Sequence, residues 1–113
     1  MKYIIAMILV VSSWTASAGN TTVTTTIDKL YSYSEQGVFD GDIAILISNA
    51  PAGCEGGYWL RKADTLGYQN TLSFLLSAFH SQTTVSLSGN NHEIWSGSSA
   101  KYCRLDQIAL IHD

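Results

Sequence analysis

Asp40 and Asp42 stand two residues apart in Gly37-Val38-Phe39-Asp40-Gly41-Asp42. On an extended strand that spacing puts both carboxylates on one face. Two carboxylates on one face can serve as acid and base in glycoside hydrolysis. They equally suit two solvated residues at the start of a strand, and so short a chain leaves little room for the deep cleft such chemistry occupies. The three histidines are His80, His92 and His112. None lies at ligand spacing from a second His, Cys or carboxylate, and the adjacent His92 and Glu93 point to opposite faces of a strand. No G-x-S-x-G turn occurs, and Ser96-Gly97-Ser98 has no local base. Gly53, Gly56 and Gly57 lack the helix that follows a phosphate loop. The expectation is a non-enzyme with no catalytic residue, no metal and no cofactor.

The aromatic residues point elsewhere. Tyr58, Trp59, Trp95 and Tyr102 lie close in sequence to Cys54 and Cys103. Sugar C–H faces stack on aromatic rings, while Asn and Asp side chains take the hydroxyls. Asn90, Asn91 and His92, on an expected turn, are placed to supply such contacts. The candidate ligand-binding set is Asp40, Tyr58, Asn90, Asn91, His92 and Trp95. The competing expectation is plainer: the tryptophans form core, because aromatic rings bury large areas, and the Asn pair makes a turn.

Two cysteines in an exported chain imply a disulfide, and two allow only one pairing, Cys54–Cys103. Closing a loop of about 50 residues stabilises by about 4 kcal/mol on the loop-entropy account. A reactive thiol pair is the alternative, and the absence of a C-x-x-C spacing speaks against it. Export is read from the N-terminus. Met1-Lys2, an apolar run from Tyr3 to Val11 and the small residues Ala16-Ser17-Ala18 follow the order of a signal peptide. The apolar run is short for a membrane anchor, which takes about 20 residues. The expected organisation is a signal peptide over 1–18 and one binding domain over 19–113, secreted or periplasmic.

Without Lys2 the mature chain holds five basic residues against nine acidic ones, a net charge of −4. It has no basic run, which disfavours nucleic acid and anionic membrane surfaces alike. With 46% hydrophobic residues the chain is not disordered.

The elements that must position these residues follow from periodicity. Thr21 to Ile27 is a β-branched run and reads as a strand. Val38 to Ser48 reads as a central strand with Ile43, Ile45 and Ile47 on one face and a bend at Gly41. Gly56 to Lys62 is a second strand of that hairpin. Tyr68, Leu72, Leu75, Leu76 and Phe79 form one stripe of a helix over 68–80, whose other face is uncharged. Further strands are expected at Thr83–Ser88, Glu93–Trp95 and Tyr102–Ile111. Short strands with one central helix give a mainly β fold, a small barrel of the oligonucleotide/oligosaccharide-binding (OB) kind, with a helix on an open sheet as the alternative.

Three features together resemble the B subunits of AB5 toxins, of the subtilase-cytotoxin and pertussis-like (typhoid toxin) type. Gly37-Val38-Phe39-Asp40-Gly41 is similar to that family's Gly-x-Phe-Ser-Gly start. The helix 68–80 followed by Val85-Ser86-Leu87 matches its helix, turn and strand. A Trp95 loop leading to a terminal strand is the third. The family's sugar-contacting serine falls on Asp40, and its aromatic after the post-helix strand falls near Gly89-Asn90. The resemblance implies an OB-like fold, a homo-oligomeric, five-fold ring with helices lining its pore, a cell-surface glycan or glycoprotein as ligand, and a catalytic A subunit as partner. The other function class in view is a secreted protein-binding module, an inhibitor or accessory subunit without sugar affinity.

Overall fold

The computed structural model describes residues 19–34 and 37–112. The expected signal peptide, 1–18, lies outside these residues. Among them are six strands and one helix: β1 (Asn20–Thr25), β2 (Lys29–Ser32), β3 (Ile43–Leu46), β4 (Gly57–Leu60), α1 (Leu66–Ser81), β5 (Val85–Asn90) and β6 (Tyr102–Leu110). They form one sheet in the order β1-β5-β6-β4-β3-β2. Every pairing is antiparallel except β4 with β6. That parallel pair requires a long crossover, and the chain supplies it as α1 and β5.

The two outer strands of this order are consecutive pieces of one stretch, residues 20–32. At the corner between them the Asp28 N–H donates to Leu46 O at 2.9 Å. The Asn49 side-chain amide donates to Thr24 O at 3.1 Å. The sheet therefore curls until its first and last strands meet through the chain itself, giving the expected OB-like barrel.

Alternation along the strands sorts side chains into two cores. Ile43, Ile45, Tyr58, Leu60, Val85, Leu87, Cys103 and Leu105 point into the barrel. Ala44, Leu46, Trp59 and Tyr102 point out of it, into a second cluster. Cys54 and Cys103 are bonded as expected, with Cα atoms 5.2 Å apart, and both are fully buried. Gly57 sits at φ 125° against the neighbouring strand. A Cβ there would lie 2.1 Å from Ile45 O, so only glycine lets β3 and β4 approach this closely.

The helix starts two residues earlier than its stripe predicted. Thr65 caps it, its hydroxyl accepting the Tyr68 N–H at 3.2 Å. Gln82, in the left-handed region at φ 55°, ends it by donating to Ala78 and Phe79 carbonyls. Leu75 and Ala78 are buried, and Tyr68 and Leu72 pack on the same core. Leu76 and Phe79, assigned to the inward stripe, are instead exposed. One helix on the end of a narrow barrel has contact for a narrow band only.

Three strand assignments change. Gly37–Phe39 is a single 3-10 turn, because Gly37 and Gly41 both adopt positive φ and turn the chain before β3 begins at Ile43. Lys29–Ser32, outside the strands expected from periodicity, pairs along its whole length with β3. Glu93–Trp95 is not a strand, since the Trp95 side chain folds back onto the sheet.

Candidate functional site

The second cluster lies on the outer face of β3 and β4, beneath Tyr33 and two loops, residues 37–42 and 91–101. Trp95 is its centre. Its ring stands 5.1 Å from Tyr33, 5.6 Å from Phe39 and 5.5 Å from Tyr102, the last two edge-on. Edge-to-face arrangements of this kind add about 0.5–1.5 kcal/mol each beyond burial. Gly97 lies over the indole so closely that a Cβ would come 2.3 Å from the ring.

Asp42 holds this arrangement in place. It is the one charged side chain buried among the described residues, 5% exposed. One carboxylate oxygen accepts the Trp95 indole N–H at 3.1 Å. The other accepts the Lys62 backbone N–H at 3.1 Å. A single carboxylate thus joins the first loop, the end of β4 and the second loop. Helix α1 is tied in beside it by the Tyr68 hydroxyl, which donates to Gly41 O at 2.7 Å. Burial, and then the charge of Asp42, push the Tyr68 hydroxyl pKa up. Burial, with smaller contributions from Tyr33 and Tyr31, does the same for Tyr102.

Between the two loops opens a cleft of about 560 Å³, within the range of small-ligand sites. Trp59 and Trp95 form its floor, Val38 and Ile94 its apolar lips, and Arg61, Lys62, His92 and Glu93 its polar rim. The Trp59 indole N–H donates to Glu93 O at 2.9 Å, which draws the second loop down. The Glu93 carboxylate is bridged by Arg104 at 2.9 Å and more loosely by Arg61 at 3.8 Å. Among the described residues, no buried side-chain polar atom lacks a partner. Trp59 and Trp95 are themselves only 8% and 3% exposed, core as the plainer expectation had it, so the floor offers little indole surface and no free donor. Polar recognition falls to the rim, where Arg61 and Lys62 are exposed.

Of the residues singled out in sequence, the structure brings Trp95 and His92 to this cleft. It sends Tyr58 the other way. Tyr58 is fully buried inside the barrel, with its hydroxyl on Thr21 Oγ1 at 2.8 Å; burial raises its pKa. Adjacent strand residues face opposite sides, so Trp59, not Tyr58, reaches the outer layer. Asn90 ends β5, paired with Asn20 and Arg104, and Asn91 opens the bend that follows. Asn90 accepts the His92 N–H and donates to Asp106, and the Asn91 N–H donates to Gly19 O. Asp40 is exposed on the Gly37–Gly41 turn, in a separate hollow with Lys62 and Asp64. The carboxylate pair does not form, because Asp42 turns inward and Asp40 outward. Cys54 and Cys103 serve as the bridge alone.

Sequence reasoning missed Asp42 as an organising group, Arg61 and Lys62 as rim cations, and Val38 and Ile94 as lips. The only available signal was parity: with Tyr58 inside, Trp59 must be outside. No helix among the described residues is long and apolar enough to cross a membrane. No group of three or more His, Cys, Asp or Glu gathers among them. No protein-family model matches the chain, and no curated protein shows significant similarity to it.

Proposed function

We propose that the protein is a secreted or periplasmic sugar-binding subunit of the AB5 B-subunit kind, acting as a homo-oligomer and taking its ligand in the cleft over Trp59 and Trp95. One observation carries this reading. The cleft lies on the outer face of β3 and β4 between the 37–42 and 91–101 loops, and OB barrels bind oligosaccharides on this face and between these loops. The rim of Arg61, Lys62, His92 and Glu93 supports polar contact with saccharide hydroxyls, and the exposed Val38 and Ile94 support apolar contact. The buried disulfide agrees with an oxidising compartment.

The test is a glycan array with mature protein, followed by calorimetry on any hit with Arg61→Ala and His92→Ala, both at exposed rim residues. The reading expects saccharide binding lost in both variants. No hit in any sugar class, or affinity unchanged in both variants, removes it. The exposed Val38, 80% accessible, and Ile94 favour a second reading, a protein-binding module using the same lips. Co-purification with one protein partner and no sugar affinity would select that one.

A further inference from the structure

The chain expected after export begins at Gly19, and the fold fixes where that residue lies. Asn20 pairs with Asn90 at the first position of β1 against β5. One residue earlier, Gly19 O accepts the Asn91 N–H at 3.1 Å. Gly19 is therefore held at the root of the 91–101 loop. A Cβ on it would stand 3.2 Å from His92 Nε2, closer than a Cβ ordinarily packs. Glycine is the residue that lets the chain pass this close to the imidazole. Backbone bonds are about 1.5 Å long, so the Gly19 nitrogen lies within about 6 Å of that ring nitrogen.

His92 belongs to the cleft rim, and that rim is unevenly supplied. Its two long cations, Arg61 and Lys62, both follow β4. Arg61 leans toward Glu93 at 3.8 Å, a carboxylate that Arg104 holds at 2.9 Å. The Lys62 stem lies under Gly41, where a Cβ would stand 3.0 Å from it. On the 91–101 side, among the described residues, the lining includes His92, Glu93 and Ser96 but no lysine or arginine. In the unprocessed chain the Gly19 nitrogen is a peptide amide with one N–H. Cut after Ala18, it becomes a primary amine, charged at neutral pH and carrying three donors, on the side of the cleft that lacks a cation.

We propose that removal of residues 1–18 completes the binding site: the freed α-amine of Gly19 stands beside His92 as a ligand-binding group of the rim and donates to an oxygen acceptor of the bound saccharide. This rests on the export and sugar-binding readings and adds to them a group that only processing can make. The unprocessed chain has the barrel, the bridge and the β4 cations, yet lacks this donor. Saccharide affinity is thereby tied to passage out of the cell. Charge-assisted hydrogen bonds are the stronger ones, and the two anchors of the terminus, Gly19 O on Asn91 and Asn20 on Asn90, hold the amine in place before the ligand arrives.

Mass spectrometry of the exported protein comes first, with a chain starting at Gly19 expected; a start elsewhere overturns the proposal. Mature protein with a free Gly19 is then compared with its N-acetylated form, which removes the terminal charge, and with a form carrying two serines ahead of Gly19, which keeps an amine but moves it by about 7 Å. Thermal unfolding checks that each form folds. Histidine ring signals in NMR, with those of His92 assigned by their loss in His92→Gln, report the contact without any ligand. Acetylation should move the His92 signals and leave those of His80 and His112 in place. Unmoved His92 signals overturn the placement of the amine. Calorimetry with the strongest saccharide from the glycan array reports its role. A hydrogen bond from a charged group corresponds to about a tenfold change in affinity or more, so both altered forms should bind at least about tenfold more weakly. Equal affinity in all three forms overturns the role of Gly19 and leaves the sugar-binding reading standing. No saccharide hit with the free-Gly19 form removes that reading and this site group together.

Discussion

Replacing Asp42 by Asn tests the organisation of the outer layer most directly. The side chain keeps its shape but has one acceptor oxygen in place of two. Both carboxylate oxygens are in use, one by the Trp95 indole and one by the Lys62 amide. The new NH2 must therefore face one of these donors. A hydrogen bond to a charged group is worth about 1.5–3 kcal/mol, and an orphaned buried donor costs about 1–3 kcal/mol. The two descriptions overlap, so the expected loss is about 3 kcal/mol. In a domain of this size 1 kcal/mol moves the melting temperature by about 4–8 °C, so the midpoint should fall by about 12–24 °C. Thermal and urea unfolding followed by circular dichroism measure it. Tryptophan emission should shift to the red as Trp95 loosens. Asp40→Asn is the control: that residue is exposed, and its change should stay within about 0.5 kcal/mol. If Asp42→Asn also stays within that range, the carboxylate does not hold the cleft together and the account of the site fails.

Other outcomes follow from the same physical picture. Cys54→Ser with Cys103→Ser reopens a loop of 49 residues' separation and should cost about 4 kcal/mol by urea unfolding on the loop-entropy model. Gly57→Ala forces a Cβ into the Ile45 carbonyl at a positive φ, so a loss above about 2 kcal/mol is expected. Removing the Thr65 cap with Ala should cost about 1 kcal/mol. Tyr58 is raised above its ordinary pKa by burial. The unfolded chain then releases its phenolic proton first, so stability holds below the ordinary tyrosine range and falls as pH climbs through it toward the folded value. Tyr58→Phe should flatten that alkaline limb of a stability-versus-pH curve.

Much of the barrel was legible because its signals are local. The 3.6-residue spacing of Leu72, Leu75 and their neighbours marked α1, and the Ile43-Ile45 alternation marked β3. The disulfide followed from there being two cysteines and one pairing. What was not legible depended on long-range geometry. Alternation states that Tyr58 and Trp59 face opposite ways, but not which side of β4 is barrel interior; that depends on where β6 lands. The helix stripe predicted Leu76 and Phe79 inward, yet how wide a band a helix buries depends on the area beneath it. The 93–95 segment has strand-like residues, and only the pull of Asp42 and Gly97 on Trp95 turns it into a loop. Asp42 itself looked like a solvated strand-start residue. Nothing in its neighbours reveals that an indole 53 positions on would claim it.

The bridge between Cys54 and Cys103 has a bearing on how this chain meets proteases. The loop over the cleft is accessible, with residues 96–101 all exposed, and exposed loop tips are where nicking concentrates. Every bond in that stretch lies inside the covalent circle closed by the two sulfurs. A cut there produces no free fragment. The two pieces stay joined at the buried bridge, with β5 and β6 still hydrogen-bonded to each other. A nicked molecule therefore migrates as an intact one until a reductant is added, and the cleft can be pared by digestion without dismantling the barrel beneath it.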